Sequence, residues 1–335
     1  MSRVLVTGGG GYVGSALVPK LLDLGHDVTV VDLFLFGDHL PPASARAPRL
    51  VKAAFDIRDT AALALLLPGH EAVVHLACIS NDPSFALDPA LSRSINYECF
   101  EPLVVAAKAA GVARFIYAST SSVYGVSDAP DVTEDHPLVP LTDYNRYKGL
   151  CEPLLFRHGG PGFATVAIRP ATVCGYAPRL RLDLTVNILT ASAVERGRIT
   201  VFGGAQKRPN IHIDDMTDLY AALLEMEPAR FAGRTFNAGY QNHTVAEIAE
   251  IVRAVVAREV PGRASLEIVT APSSDTRSYH ISSDKIQREL GFVPKRTIED
   301  AVRDLCHAFA EGRVPNALTD VGYDNVKALR ARRFS

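Results

Sequence analysis

A tyrosine and a lysine four positions apart are the side chains of this sequence best suited to chemistry. Tyr144 and Lys148 lie in the stretch TDYNRYKGLCE, and a helix would place both on one face. A tyrosine with an ordinary pKa near ~10 is a poor base at neutral pH, so a neighbouring cation must stabilise its phenolate. Lys148 can supply that cation. Thr120, in the upstream stretch YASTSSVYG, would add a hydroxyl beside the reacting oxygen, so the three residues predict a site for proton transfer.

A glycine-rich turn near the start of the chain predicts a dinucleotide site. Four consecutive glycines follow the run RVLVT and precede an apolar-periodic segment, so backbone N–H groups could approach a pyrophosphate at the positive end of a helix dipole. Two spacings fit the turn: GxGxxG uses Gly9, Gly11 and Gly14, and GxxGxxG uses Gly8, Gly11 and Gly14. Asp32 ends the next strand, where a carboxylate can accept both adenosine ribose hydroxyls and repel a 2′-phosphate, which favours NAD over NADP.

Two further positions have both a functional and a structural interpretation. Asp56, with Ile57, follows the third predicted strand and could hold the adenine, although an Asp at this place could equally cap the next helix. His75 ends an apolar strand, and we interpret it as a packed residue rather than a catalyst.

Alternating strand and helix patterns define the elements that must position these residues. Short β-branched runs predict strands at 3–7, 27–32, 50–55, 72–77, 113–119 and 164–169, and apolar periodicity predicts helices at 12–24, 59–67, 89–110 and 143–157. This repetition predicts an α/β fold, a doubly wound parallel Rossmann sheet with helices on both faces.

The rhythm loosens after residue 170, which predicts a smaller α/β carboxy-terminal substrate lobe. Its predicted helices are 183–196, 244–257, 283–290 and 298–312, and its predicted strands are 199–202 and 235–238. The arginine-containing stretch 313–335 is interpreted as a solvated tail or a subunit contact.

Bulk composition excludes several classes of function. With 35 Lys plus Arg against 37 Asp plus Glu, the net charge of −2 gives no general attraction to nucleic acid or to an anionic membrane surface. Five scattered cysteines without a CxxC pair predict neither structural zinc nor a disulfide framework. No secretory signal or membrane-spanning run is visible, so a cytoplasmic protein without a metal is expected.

The chain resembles the extended short-chain dehydrogenase/reductase family, which includes nucleotide-sugar epimerases and dehydratases. The resemblance covers most of the chain and rests on these segments: TGGGGYVG (7–14), Asp32, FDIRD (55–59), VVHLA (73–77), Asn96 in SINYE, STSSVYG (119–125), Tyr144-xxx-Lys148, IRPATVCG (168–175), ITVFGGAQKRPNIHIDD (199–215), FNAG (236–239) and SSDKIQRELGF (282–292).

The resemblance implies a role for each matching residue. Tyr144 would be the catalytic base, Lys148 would lower its pKa and hold the nicotinamide ribose, and Thr120 would be the hydroxyl partner. The family spelling TGxxGxxG leaves Gly10 able to carry a small side chain. The implied NAD contacts are Gly8, Gly11, Tyr12, Val13, Gly14, Asp32, Asp56, Ile57, Leu76, Ala77, Tyr144 and Lys148. The implied nucleotide-sugar contacts are Ser80, Thr120, Ser121, Thr172, Asn187, Arg208 and Arg277.

The resemblance also implies how the chain is organised. Residues 1–170 would form the NAD-binding Rossmann domain and receive segments near 199–240, while 171–335 would supply the substrate-binding lobe and the tail. Family members often form homodimers, and a homodimer is the expectation here. The HIDD segment, containing His212, Asp214 and Asp215, would be structural, with an Asp capping the next helix.

One departure from the family pattern bears on the reaction. Sugar 4,6-dehydratases follow the catalytic Thr with Asp-Glu, an acid/base pair, whereas Ser121 and Ser122 stand here and cannot readily do that proton work. We therefore interpret the chain as an NAD-dependent nucleotide-sugar epimerase that oxidises a hydroxyl, at C4 by expectation, and returns the hydride. A reductase or dehydrogenase on a similar sugar, a 4,6-dehydratase and a non-catalytic NAD-binding sensor are the alternatives.

Overall fold

Seven parallel strands form the central sheet of the protein, whose computed structural model describes residues 1–42, 49–127, 129, 131–272 and 278–332. The strands are β1 (Arg3–Thr7), β2 (Asp27–Val31), β3 (Leu50–Ala53), β4 (Ala72–His75), β5 (Arg114–Ala118), β6 (Ala164–Pro170) and β10 (Arg234–Ala238). Their order across the sheet is β3-β2-β1-β4-β5-β6-β10. The chain therefore winds outward in both directions from β1, which confirms the predicted doubly wound Rossmann fold.

Twelve helices are present in the described part of the chain. They are α1 (Tyr12–Asp23), α2 (Thr60–Leu66), α3 (Asp82–Phe85), α4 (Pro89–Arg93), α5 (Phe100–Ala109), α6 (Asp143–His158), α7 (Thr185–Arg196), α8 (Ile213–Glu225), α9 (Val245–Glu259), α10 (Asp284–Leu290), α11 (Ile298–Ala310) and α12 (Asn325–Ala331). Across the described ranges, none of these helices has the length and apolar character needed to cross a membrane.

Burial on both faces explains why the central strands consist of nearly continuous apolar runs. Val4 and Val6 of β1 pack toward α1 and α8, whereas Leu5 packs on the opposite face in a core that includes α5 and α6. All three side chains are fully buried. Sheets of this parallel kind are covered by crossover helices on both sides, so the alternation of polar and apolar residues is lost.

The second lobe contains two small sheets and a helical core of its own. Its strands are β7 (Thr172–Cys174), β8 (Arg198–Phe202), β9 (Lys207–His212), β11 (Gln241–Thr244) and β12 (Glu267–Ala271). The orders are β11-β9-β7 in one sheet and β12-β8 in the other. Apolar residues of α7, α9 and α11 pack together beside β8. Our sequence reading placed no strand at β7, β9, β11 or β12.

The structure divides the predicted helix 89–110 into three parts. α4 ends at Arg93, a wide π-helical turn spans Ser94–Glu98, and α5 begins at Phe100. Pro102 in the first turn of α5 has no N–H to donate backward, which accounts for the interruption. The turn presents Asn96, whose side-chain amide bonds the backbone N and O of Ile79 at 2.8 and 2.9 Å and so fixes the loop after β4.

The carboxy-terminal stretch is not simply a solvated tail. Residues 325–331 form α12, and the side chains of Asn325, Ala328 and Leu329 are buried. The expectation of a solvated tail is therefore wrong for this helix, because its inner face packs against the rest of the chain.

Candidate active site

A cavity of about 740 Å³ opens at the carboxyl ends of the parallel strands β1 and β4, where the chain continues from β1 toward one edge of the sheet and from β4 toward the other. This is the place where α/β sheets of this topology bind ligands, and the volume suits a dinucleotide with a second small molecule only partly enclosed. Seventeen of the predicted site residues line it: Gly8, Gly11, Tyr12, Val13, Gly14, Asp32, Asp56, Ile57, Leu76, Ala77, Ser80, Thr120, Ser121, Tyr144, Lys148, Thr172 and Arg208.

Two predicted substrate contacts are not among the lining residues. Asn187 is fully buried in α7, where its Oδ1 accepts the Gly175 N–H at 3.0 Å and its Nδ2 donates to the Arg181 carbonyl at 2.9 Å. Its amide therefore holds the loop before α7 together, and the predicted substrate contact has no support in this geometry. Arg277 lies outside the described residues.

The structure explains Gly8 and Gly14 of the turn differently from Gly11. Gly8 has φ of +76°, and a Cβ there would lie 2.5 Å from the Ala77 backbone; a Cβ on Gly14 would lie 2.5 Å from the Gly8 carbonyl oxygen. Gly11 differs, because its φ of −79° suits any residue and the nearest atom to an added Cβ, the Gly8 oxygen, is 3.2 Å away. The chain's own packing thus explains Gly8 and Gly14, whereas Gly11 borders the cavity and leaves room for a ligand.

Gly10 is not the unconstrained glycine that we expected. Its backbone N–H donates to Asp32 Oδ2 at 2.9 Å, and an added Cβ would lie 2.9 Å from the ring of Phe34. Asp32 Oδ1 accepts a second backbone bond, from Phe34 N at 2.7 Å. Two backbone donors therefore hold the Asp32 carboxylate at the cavity edge, in a position suited to ribose hydroxyls.

Asp56 lines the cavity but does not cap the following helix. Its carboxylate pairs with Arg58 at 2.6 Å, and Asp59 supplies the cap of α2 by accepting the Ala62 N–H at 2.9 Å. The capping alternative is therefore wrong for Asp56, because Asp59 stands immediately before the first helical residue.

The three predicted catalytic residues stand at the end of β5 and on α6. Thr120 follows β5, and its Oγ1 accepts the Ser122 N–H at 3.2 Å. Lys148 is buried, and its Nζ donates to the Ala118 carbonyl at 2.7 Å. Tyr144 lies one turn before Lys148 on α6, so all three border the same cavity.

The surroundings of Tyr144 favour the neutral phenol. Burial raises the pKa of Tyr144 well above its usual value, and the nearby Cys78 and Asp82 add to the shift. Arg181 and a hydrogen bond from the backbone of Asn81 oppose it. Arg181 is thus a cation near Tyr144 without a predicted role, and the effect of Lys148 on this pKa stays a prediction.

A buried ion pair supports the sheet end behind Thr120. Arg169 of β6 makes two bonds to the Glu152 carboxylate of α6, at 2.9 and 2.6 Å. Glu152 also accepts the hydroxyl of Ser119 at 2.6 Å. The pair therefore ties α6 and the end of β5 to β6, which fixes the elements that carry Thr120 and Tyr144 relative to each other.

The loop after β4 has the most unusual backbone of the site. Asn81 has φ of 72° and ψ of 157°, a conformation that non-glycine residues seldom adopt. Its Nδ2 donates to Asp183 at 3.0 Å, and Asp183 in turn receives two bonds from Arg181, both 2.9 Å. Asn325 Nδ2 of α12 donates to Ser80 Oγ of the same loop at 2.8 Å. No sequence motif predicts that this loop, the Arg181–Asp183 pair and α12 contact one another.

Two histidines have structural explanations. His75 is buried as interpreted, its Nδ1 lies 2.7 Å from Thr7 Oγ1, and burial lowers its pKa to about 3. His212, not an Asp, caps α8: its Nδ1 accepts the Asp214 N–H at 3.1 Å, which corrects our expectation for HIDD. That bond places the ring proton on Nε2, 3.2 Å from Asp304, so this nitrogen is not available as a metal ligand.

The lining residues fit NAD. The glycine turn leaves open space at the start of α1, where a diphosphate is favoured, and the Asp32 carboxylate stands at the end of β2 for a ribose. The Nε of the buried Arg179 at the cavity wall also has no hydrogen-bond partner among the residues that the structure describes. When bound, NAD would supply a hydride acceptor and donor beside Tyr144.

Comparison with known proteins agrees with this geometry. Residues 4–239 match the NAD dependent epimerase/dehydratase family. The UDP-glucose 4-epimerase of Corynebacterium glutamicum is 30% identical over 320 residues, which cover 89% of this chain and 94% of that protein. The dTDP-glucose 4,6-dehydratase of Streptomyces griseus is 28% identical over 311 residues, with 90% and 92% covered.

A solved structure shares the whole architecture. The dTDP-glucose 4,6-dehydratase of Streptomyces venezuelae, solved with NAD bound, superimposes with a TM-score of 0.80 at 26% identity and covers 93% of this chain and 98% of that one. Relatives with two different reactions thus match over nearly the full length. The chain belongs to the NAD-dependent epimerase/dehydratase family, within the extended short-chain dehydrogenases/reductases, and it is an enzyme of that kind.

Proposed function

We propose that the protein is a nucleotide-sugar epimerase that oxidises a sugar hydroxyl, at C4, to a transient ketone and then reduces it from the other face. The observation that carries the proposal is the pair of serines after Thr120. Ser121 and Ser122 occupy the positions where a dehydratase needs an acid and a base, and the Ser122 hydroxyl lies 2.9 Å from the Tyr279 hydroxyl. The similarity to UDP-glucose 4-epimerase over most of the chain supports the same choice.

The proton steps fall to the residues that border the cavity. Tyr144, as phenolate, accepts the proton of the sugar hydroxyl and returns it after the hydride has come back. Thr120 hydrogen-bonds the same oxygen. Because burial raises the pKa of Tyr144, the phenolate requires positive charge nearby, which Lys148 and Arg181 can supply.

The nucleotide diphosphate lies in the second lobe in this proposal. Arg208 at the end of the cavity is suited to phosphate oxygens because a guanidinium donates paired hydrogen bonds to them. Thr172 and Ser80 line the same cavity as this arginine and Tyr144 and would contact the sugar.

The test is incubation of the purified full-length protein with a panel of UDP- and dTDP-sugars in heavy water. An epimerase gives a product of unchanged elemental composition with inverted configuration at one carbon. It places no deuterium on carbon and causes no net change in nicotinamide absorbance. Loss of water with deuterium on the sugar carbons would establish a dehydratase instead. Stoichiometric formation or consumption of reduced nicotinamide would establish the dehydrogenase or reductase alternative.

A further inference from the structure

Arg179 is a buried arginine whose surroundings do not satisfy it. It lies in the loop between β7 and α7, is 2% exposed and lines the cavity. Its backbone N–H donates to the Ser15 hydroxyl in the first turn of α1 at 3.1 Å. The guanidinium carbon lies 4.0 Å from the centre of the Phe36 ring, shortly after Asp32 in the chain. Arg179 thus contacts α1 through its backbone and the segment after Asp32 through its side chain, and both regions are predicted to hold the dinucleotide.

The carboxylates of Asp32 and Asp183 lie near this guanidinium, but neither pairs with it directly. The neighbouring Arg181 pairs with Asp183 through two hydrogen bonds, but Arg179 forms no ion pair with any carboxylate of the described residues. Its Nη2 donates to the neutral amide oxygen of Asn325, and its Nε has no hydrogen-bond partner within the described ranges. Burial, with Arg181 nearby, lowers the pKa of Arg179 to about 9. A buried, unpaired donor on a charged group is costly unless a ligand completes it.

We propose that Arg179 clamps the diphosphate of bound NAD from the side opposite the glycine turn. The diphosphate would lie at the positive end of α1, with backbone N–H groups of the turn on one side and the guanidinium on the other. Two negative charges supply the direct pairing that Asp32 and Asp183 do not make, and the open Nε donates to a phosphate oxygen. This inference rests on the NAD site and is independent of which sugar reaction follows.

Asn325 extends the clamp to the carboxy-terminal helix. Its Oδ1 accepts from Arg179 and its Nδ2 donates to Ser80 Oγ at 2.8 Å, so one amide joins the second lobe, α12 and the loop after β4. Asn325 is 3% exposed. These bonds hold the guanidinium in place, so the clamp also predicts slow release of the cofactor between turnovers.

The matched pair of variants is Arg179→Gln and Arg313→Gln. Arg313 also belongs to the second lobe and also stacks on an aromatic ring, that of Tyr176 at 4.3 Å, but it pairs with Glu311 and lies outside the cavity. The NAD content of each full-length protein as purified is measured after acid release, together with NAD loss during dialysis. Affinities of the stripped proteins for NAD, ADP and adenosine are then measured by calorimetry.

Arg179→Gln is expected to weaken NAD and ADP binding about 10- to 100-fold, as for loss of a charge-assisted bond, while adenosine binding stays within about twofold. Arg313→Gln should match the wild type. An equal loss for adenosine would overturn the proposal by placing Arg179 at the ribose, and unchanged ADP affinity would overturn it outright.

Two further variants keep the proposal testable if Arg179→Gln fails to fold. Arg179→Lys keeps the charge but loses the planar guanidinium, so its ADP affinity should lie between those of the wild type and Arg179→Gln. Asn325→Leu leaves Arg179 in place and removes its anchor, so NAD should dialyse out faster than from the wild type. Wild-type ADP affinity in Arg179→Lys together with wild-type NAD release in Asn325→Leu would contradict the clamp.

Discussion

Arg169 and Arg179 are both buried, about ten residues apart in the chain, and the protein treats them in opposite ways. Arg169 has two bonds to Glu152 and one, at 2.7 Å, to the Tyr124 hydroxyl. Burial alone would lower its pKa, but the bonds to Glu152 raise it. In the described part of the chain, the Arg179 guanidinium donates to the Asn325 amide oxygen and packs on the Phe36 ring, and its Nε is unpaired.

The difference distinguishes buried polar groups that stabilise the fold from buried polar groups that are suited to bind a ligand. Behind the sheet end, Arg169 and Glu152 pair with each other, so this arrangement is complete before any ligand arrives. At the cavity wall, Arg179 Nε has no partner among the described residues and Asn81 has a strained backbone, costs that ligand binding can offset. Substitutions on the completed side should therefore change stability, and those on the cavity side should change binding or rate.

Tyr144→Phe should give the largest effect on the cavity side. Removal of the phenolic oxygen is expected to lower kcat about 10²- to 10⁴-fold with the unfolding midpoint nearly unchanged, because the ring keeps its packing and the change costs the fold at most the bond to the Asn81 backbone. Tyr147→Phe is the matched control: Tyr147 lies on the same helix, packs against Tyr97 in a tilted arrangement with ring centres 5.2 Å apart, and does not line the cavity. Wild-type turnover in Tyr144→Phe would favour the non-catalytic NAD-binding alternative.

Among substitutions at the paired charges behind the sheet end, Glu152→Gln should give the largest loss of stability. It leaves Arg169 buried without a counter-charge, and loss of one partner of a buried pair costs about 3–5 kcal/mol of unfolding free energy. Urea unfolding measures the loss, and NAD content at low temperature should stay at the wild-type value. Glu289→Gln, which breaks a partly exposed pair with Arg234, should be nearly silent. NAD loss without destabilisation in Glu152→Gln would remove the distinction between the two regions.

Gly11→Val tests the cavity side with a substitution that changes no charged group. Its backbone conformation suits valine, so the protein should fold, but the branched side chain would fill space needed by the phosphates and lower NAD affinity about 100-fold or more. Gly10→Ala must displace Phe34 instead, so we expect it to cost stability and to weaken NAD only slightly. Calorimetry of both stripped proteins checks this order. Equal NAD losses would show that the turn as a whole, rather than its open face, sets the affinity.

The main sheet could be predicted from the sequence because its strands are recognisable locally. RVLVT, DVTVV and AVVH are β-branched runs, and they form β1, β2 and β4 within one or two residues of the expected ends. The strands of the second lobe lack that signal. β9 (KRPNIH) and β11 (QNHT) are largely polar, and they form because they pair with each other in antiparallel register.

The same distinction applies to the site. The glycine turn and the Tyr144–Lys148 spacing are short motifs, and both border the cavity. Arg179 and Asn325 are 146 residues apart and meet only in the folded chain. Asn187 stands beside the predicted site in sequence, yet helix α7 turns its side chain into the interior. A sequence motif therefore identifies site residues that lie within one segment. Site residues that three separate segments bring together can be identified only from the structure.

Asn81 offers the finest test of the comparison, because its backbone strain can be separated from its side chain. Both Asn81→Ala and Asn81→Gly lose the bonds to Ser84 N, 2.9 Å, and to Asp183, but only glycine adopts φ of 72° freely. Urea unfolding should find the alanine protein less stable than the glycine protein by about 1 kcal/mol. If the site needs this backbone conformation, the glycine protein can keep it and should show the wild-type dependence of kcat on pH. The alanine protein should relax away from it and shift that dependence, since the Asn81 backbone bonds Tyr144. Equal stability and equal pH profiles would mean that the loop relaxes without cost, and that the cavity side stores no strain there.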